Sequence, residues 1–166
     1  GAVPRQLAKR LAAFDMKLIA YDPFVSADEM AALGVRKVDL ETAFAEGDFV
    51  SNHLPTTPET KGLIGEALIG RMKRTAYFIN TARASTVSDA AILDALRHHR
   101  IAGGAFDVFN EEPLPLDSPF LALDNVVLTP HLGGASLEVV KNHSRMVYED
   151  VSLFAAGKRP VRLANA

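Results

Sequence analysis

The stretch Asn125–Ser136, NVVLTPHLGGAS, decides the fold. Val126, Val127, Leu128 and Thr129 are apolar or β-favouring, so a short buried strand is expected over 126–129. Pro130 has no N–H with which to continue a ladder, and the strand stops there. His131 follows at the carboxyl end. Gly133 and Gly134 then allow a turn that other residues resist, and Ser136 stands where it can cap a long helix. In an open α/β sheet, ligands bind beyond the carboxyl ends of the strands. This stretch therefore brings an imidazole to a ligand edge. NTAR at 80–83 and DVFNEEP at 107–113 bring an arginine and a glutamate in the same way.

Working outward, strands and helices alternate along the whole chain. Helices are expected at 3–14, 27–33, 39–45, 65–72, 89–98 and 136–156, and strands at 17–21, 35–38, 49–53, 76–80, within 101–108, and at 126–129. Asp39 and Ser88 are placed as N-caps, and Gly34 and Gly157 as helix stops. Gly103 and Gly104 fall inside a strand run, where they permit close approach of a neighbour. In the last helix Val139, Val140, His143, Met146, Val147, Val151 and Phe154 are read as one side, with His143 a packing or interface residue. Such alternation implies parallel strands with right-handed crossovers, the doubly wound α/β class.

Composition bounds the partners. The 166 residues suffice for one domain with a core, 48% of them are hydrophobic, and the net charge is −2. No broad positive field is available for nucleic acid or an anionic membrane. No run reaches the roughly 18 apolar residues of a membrane span, and the opening GAVPRQLAKRL lacks the apolar centre of a signal peptide. Cysteine is absent, which suits the cytoplasm, and the five histidines form no zinc pattern, so no metal is expected.

The motifs in series, GAVPRQLAKRL, KLIAYDP, HLPTTPET, FINTAR, AGGAFDVFNEEP and NVVLTPHLGG, resemble the NAD-binding domain of the D-isomer specific 2-hydroxyacid dehydrogenases. The resemblance covers nearly the whole chain, in order. It implies a Rossmann-type domain over 1–157, with 158–166 beginning the return to a substrate domain. It also implies NAD as cofactor, a small D-2-hydroxy or 2-keto acid as substrate, a homodimer, and a cytoplasmic enzyme. A non-catalytic NAD(H)-binding, dimerising module is the alternative.

Site residues follow by resemblance. Arg83 binds the substrate carboxylate, His131 is the acid–base group, and Glu112, directly before proline, stabilises its imidazolium. Gly1, Ala2 and Val3 hold the pyrophosphate. Asp22 accepts from the adenine ribose, which favours NAD over its 2′-phosphorylated form. His53, Leu54, Pro55 and Thr60 line the cofactor loop, as do Thr81 and Ala82. Asp107 holds the nicotinamide carboxamide, and Gly133 and Gly134 let the backbone approach the ring. By residue type alone, Asp22 and Asp107 serve equally as turn residues, Arg83 and Glu112 as solvated charges, and His131 as a packing group.

Three departures from the family pattern set further expectations. The glycine-rich loop begins at its second glycine, Gly1, and Pro4 replaces the third. Proline is tolerated there only within the first helical turn, and weakened or altered pyrophosphate binding is expected. The strand that normally precedes the loop is missing. That leaves the strands at 17–21 and 49–53 without a shared neighbour and helix 3–14 without its floor, as in a piece of a chain about twice as long. Ala84 and Ser85 replace two glycines after Arg83, leaving that loop less free to adopt positive φ.

Overall fold

The computed structural model describes residues 1–163, which fall into two compact units divided between Pro130 and His131. The first unit begins with α1 (Ala2–Leu11), followed by β1 (Leu18–Ala20), α2 (Ala27–Ala31), β2 (Val35–Lys37), α3 (Leu40–Glu46) and β3 (Phe49–Asn52). It continues with α4 (Glu66–Ile69), β4 (Tyr77–Asn80), α5 (Asp89–Arg97), β5 (Gly103–Phe106) and β6 (Val126–Leu128). Every strand pairing is parallel: β1 joins β2 in one sheet, and β3-β4-β5-β6 form a second. The expected alternation is present, and β1 and β3 belong to separate sheets.

Local chemistry accounts for the boundaries. Asp39 caps α3 by accepting from Thr42 N at 2.6 Å, and Ser88 caps α5 by accepting from Ala91 N at 3.4 Å. Ser26 and Glu29 form a reciprocal capping box at α2. Helix α4 is shorter than the pattern suggests, because the chain turns at Gly70 after a single helical turn. Helix α1 tightens into a 3-10 turn at Ala12–Phe14, stopped by Asp15 at φ 54°. Pro4 is the third residue of α1, inside the first turn, where an N–H has no intrahelical partner to lose. The expected tolerance for proline holds.

The larger core packs Phe78, Ile92, Leu96 and Ile101, all essentially inaccessible, between the four-stranded sheet and helices α4 and α5. Gly103 and Gly104 serve the close approach expected of them. A Cβ on Gly103 would lie 2.5 Å from Asn125 O, and one on Gly104 would lie 2.6 Å from the Phe106 ring. A smaller cluster gathers Ala8 of α1 with Met30 and Val35. Helix α1 therefore keeps part of a floor on β2 and α2, contrary to expectation, while Phe14 and Val3 remain exposed.

The second unit is built on α6 (Leu137–Ala155), capped by Ser136 and followed by Gly157 at φ 68°. The chain then turns back along the helix. Val161 N donates to Asp150 Oδ1 at 2.8 Å, and Arg162 pairs with Glu149 and Asp150. Met146, Asp150 and Leu153 on that side are half-buried. Val140, Val147, Val151 and Phe154 are exposed, so the single side read from the sequence is two, and His143 is exposed as well. The return segment's last three positions, 164–166, lie outside the described residues.

Candidate functional site

The register of the second sheet aligns its strand ends. Asn52 lies opposite Asn80, Asn80 opposite Phe106, and Phe106 opposite Leu128. The next residues along each strand, His53, Thr81, Asp107 and Thr129, therefore leave the sheet at one carboxyl edge. This is where an open parallel sheet receives ligands.

At β3 and β4 the exits are tied together from below. The Asn52 amide is buried and donates to Asn80 Oδ1 at 3.0 Å and to Thr86 Oγ1 at 2.8 Å. Its own Oδ1 accepts from Leu54 N at 3.1 Å. Asn80 Oδ1 also accepts from Ala82 N, and both Asn80 Nδ2 and Thr86 Oγ1 donate to the carbonyl of Arg83, at 3.1 and 2.8 Å. The Arg83 side chain is exposed, with Nη1 donating to Ala82 O at 2.7 Å. Residues Ala84–Thr86 form a 3-10 turn, with Ala84 and Ser85 outside the positive-φ region. The two residues that replace the family's glycines are thus accommodated without strain. Sequence reasoning missed Asn52, Asn80 and Thr86 as a group. The available signal was that FVSN and YFIN, two neighbouring strands, both close on asparagine.

At the β5 exit, Asp107 is buried and accepts from Thr129 Oγ1 at 2.5 Å, which joins the ends of β5 and β6. Glu112 is exposed, and its Oε1 accepts from Phe109 N at 2.9 Å. Asn110 Nδ2 donates to Asp89 Oδ2 at 2.8 Å, anchoring the loop that carries Glu112 to the start of α5. His131 opens the second unit, three residues past Leu128, with φ 55°. That φ puts His131 in the left-handed region, while Gly134 lies outside it.

In the other loops, His53 Nε2 and Ser51 Oγ are 3.0 Å apart. Burial holds the His53 imidazole below its ordinary pKa. Thr60 closes the TTPET turn: its hydroxyl donates to Pro55 O at 2.6 Å and accepts from Thr57 N at 2.8 Å. Pro55 and Thr81 are exposed. Asp22, after β1, accepts from Phe24 N at 2.9 Å through one carboxylate oxygen. Helix α1 starts at Gly1 without a side-chain cap and without an acid in its first turn. Unpartnered N–H groups and a positive helix end suit a phosphate there. A helix N-terminus, a carboxylate after β1 and a shared edge of strand exits are the kinds of group that a dinucleotide requires.

Residues 1–133 match the family described as D-isomer specific 2-hydroxyacid dehydrogenase, NAD binding domain. The chain belongs to that family. It is 42% identical over 165 residues to a glyoxylate reductase of Korarchaeum cryptofilum, covering 99% of this chain and 50% of the relative. It is 40% identical over 164 residues to a D-3-phosphoglycerate dehydrogenase of Archaeoglobus fulgidus, covering 99% and 31%. Among solved structures, the NAD-complexed D-isomer specific 2-hydroxyacid dehydrogenase of Lactobacillus delbrueckii ssp. bulgaricus superposes with a TM-score of 0.89 at 29% identity. That match covers 99% of this chain and 53% of the other. This family member spans half or less of the length of these curated relatives. No helix among its described residues is long and apolar enough to cross a membrane.

Proposed function

We propose that the protein is an oxidoreductase that moves a hydride between NAD and C2 of a small D-2-hydroxy acid, reversibly giving the 2-keto acid. The observation that carries this reading is the common strand register, which brings the exits bearing His53, Arg83 and Asp107 to one edge. Residues 1–157 form the cofactor domain, and 158–166 begin the return to a substrate domain. When bound, NAD supplies the hydride acceptor, and as NADH the donor.

The chain supplies orientation and charge. Gly1, Ala2 and Val3 offer backbone to the pyrophosphate, and Asp22 accepts from the ribose. His53, Leu54, Pro55, Thr60, Thr81 and Ala82 line the loops, Asp107 receives the carboxamide, and Gly133 and Gly134 allow close approach to the ring. A guanidinium has five N–H donors; Ala82 O takes one from Arg83, and a substrate carboxylate takes a bidentate pair. Oxidation removes a hydride from C2 and a proton from the hydroxyl. His131 accepts that proton and returns it in the reverse direction. Glu112 favours the imidazolium. The exposed apolar residues of α6 support a homodimer, and we place the enzyme in the cytoplasm.

NADH oxidation over a panel of 2-keto acids, read beside NADH fluorescence, tests the assignment. Binding without oxidation would instead favour the non-catalytic module. Arg83→Ala should raise KM for the keto acid and lower kcat. The combined loss in kcat/KM should be roughly 10- to 100-fold, as for a charge-assisted hydrogen bond of about 1.5–3 kcal/mol. An unchanged kcat/KM removes Arg83 from the mechanism.

A further inference from the structure

We infer that Asn52, Asn80 and Thr86 are positioning residues that set the Arg83 backbone, and with it the guanidinium, relative to the cofactor loop at Leu54. The inference rests on the proposed role of Arg83 as carboxylate binder. All three side chains are buried, with Thr86 wholly inaccessible, and they lie beneath two loops whose own residues are half-buried or exposed. Buried polar groups in a core of Phe78, Val87 and Ile92 are costly unless every one is partnered. Here the partners are the loops. One carbonyl, that of Arg83, accepts two hydrogen bonds, from Asn80 and from Thr86. One amide, that of Asn52, joins both side chains and also receives Leu54 N.

This wiring is directional. Asn52 Nδ2 gives both its protons, Asn80 Oδ1 takes one of them together with Ala82 N, and Thr86 relays the other to Arg83 O. No member can reverse its donor or acceptor role without stranding another buried group. The exit of β3 and the exit of β4 consequently move as one piece. A second tie crosses above the network, where Thr56 Oγ1 and Ser85 Oγ lie 2.8 Å apart. A guanidinium on a freely pivoting loop would lose the fixed fork that distinguishes a planar carboxylate.

Thr86→Val keeps the shape and removes the hydroxyl, and Thr86→Ser restores it. The test measures hydrogen exchange of the 81–87 amides in the full protein, melting temperature, and KM for a 2-keto acid and for NADH. Thr86→Val should speed exchange over 81–87 and raise the keto-acid KM about tenfold, the scale of one lost hydrogen bond. Its NADH KM should stay within about twofold, and Thr86→Ser should behave as the parent does. Parental exchange over 81–87 in Thr86→Val overturns the inference whatever the activity. Equal rises in both KM values, or a melting temperature that falls with the keto-acid KM unchanged, reduce the network to ordinary stabilisation and overturn it too. Failure of the functional reading is seen separately, because the unsubstituted protein would then bind NADH and reduce no keto acid; the inference falls with it.

Discussion

His53 is a residue whose environment shows in the pH dependence of folding. Its ordinary pKa is 6.5, and in the folded chain burial holds it lower. The unfolded chain therefore takes up the proton first as pH falls. Between the two values the unfolded state binds more protons, so stability rises with pH there. The contribution is whole above pH 6.5 and is lost as pH drops towards and through the depressed value. Replacing His53 with glutamine should flatten that limb of the stability curve. Urea melts of parent and variant above and below pH 6.5 read the difference, and parallel curves would contradict it. Asp22, Arg83 and His131 stand out in the sequence as candidates because each is a charged or titratable group within three residues of a strand's carboxyl end. Asn52, Asn80 and Thr86 do not. Their meaning lies in the pairing of Asn52 with Asn80 across two strands, which no local pattern specifies.

At the scale of elements, β5 shows what a small residue does. Gly103 faces the carbonyl of Asn125, and that segment has little room to withdraw, because Asn125 Nδ2 donates to Leu96 O and to Ala102 O at 3.1 and 3.4 Å. An alanine there must displace the Asn125 carbonyl, at the entrance to β6, and also crowds the Tyr77 ring 3.1 Å away. Gly103→Ala should cost about 1–3 kcal/mol, as for overpacking, seen as a lowered melting temperature with the far-UV spectrum retained. An unchanged melting temperature would mean that β6 yields freely. The strands were readable because most runs of β-favouring residues are bounded by Pro, Gly or a cap. The sequence pattern over-extends α4 because Leu68, Ile69 and Met72 are all buried, yet Met72 reaches the core from the turn after Gly70 rather than from a helix. Burial and helicity separate at that point, and periodicity records only burial.

For the molecule as a whole, α6 raises the question of what its outer side meets. Leu137, Val140, Val147, Val151 and Phe154 recur at helical spacing on one stripe, and each is at least 60% exposed. The neighbouring side is occupied by the chain's own return segment, held through Asp150, Glu149 and Arg162. Exposed apolar groups scattered singly need no explanation, but a continuous stripe of them marks an interaction surface. In a two-fold dimer the same stripe serves both partners, as the proposed homodimer requires. Two negative charges on each copy at the centre of such a contact place like charges together in a desolvated setting, which is costly. Val147→Glu combined with Val151→Glu should therefore convert a sedimenting dimer into a monomer. The helix should persist in the variant, because both positions face away from the return segment and Ser136 still caps it. Sedimentation of the parent as a monomer, or of the variant as an undiminished dimer, would assign the stripe to some other contact.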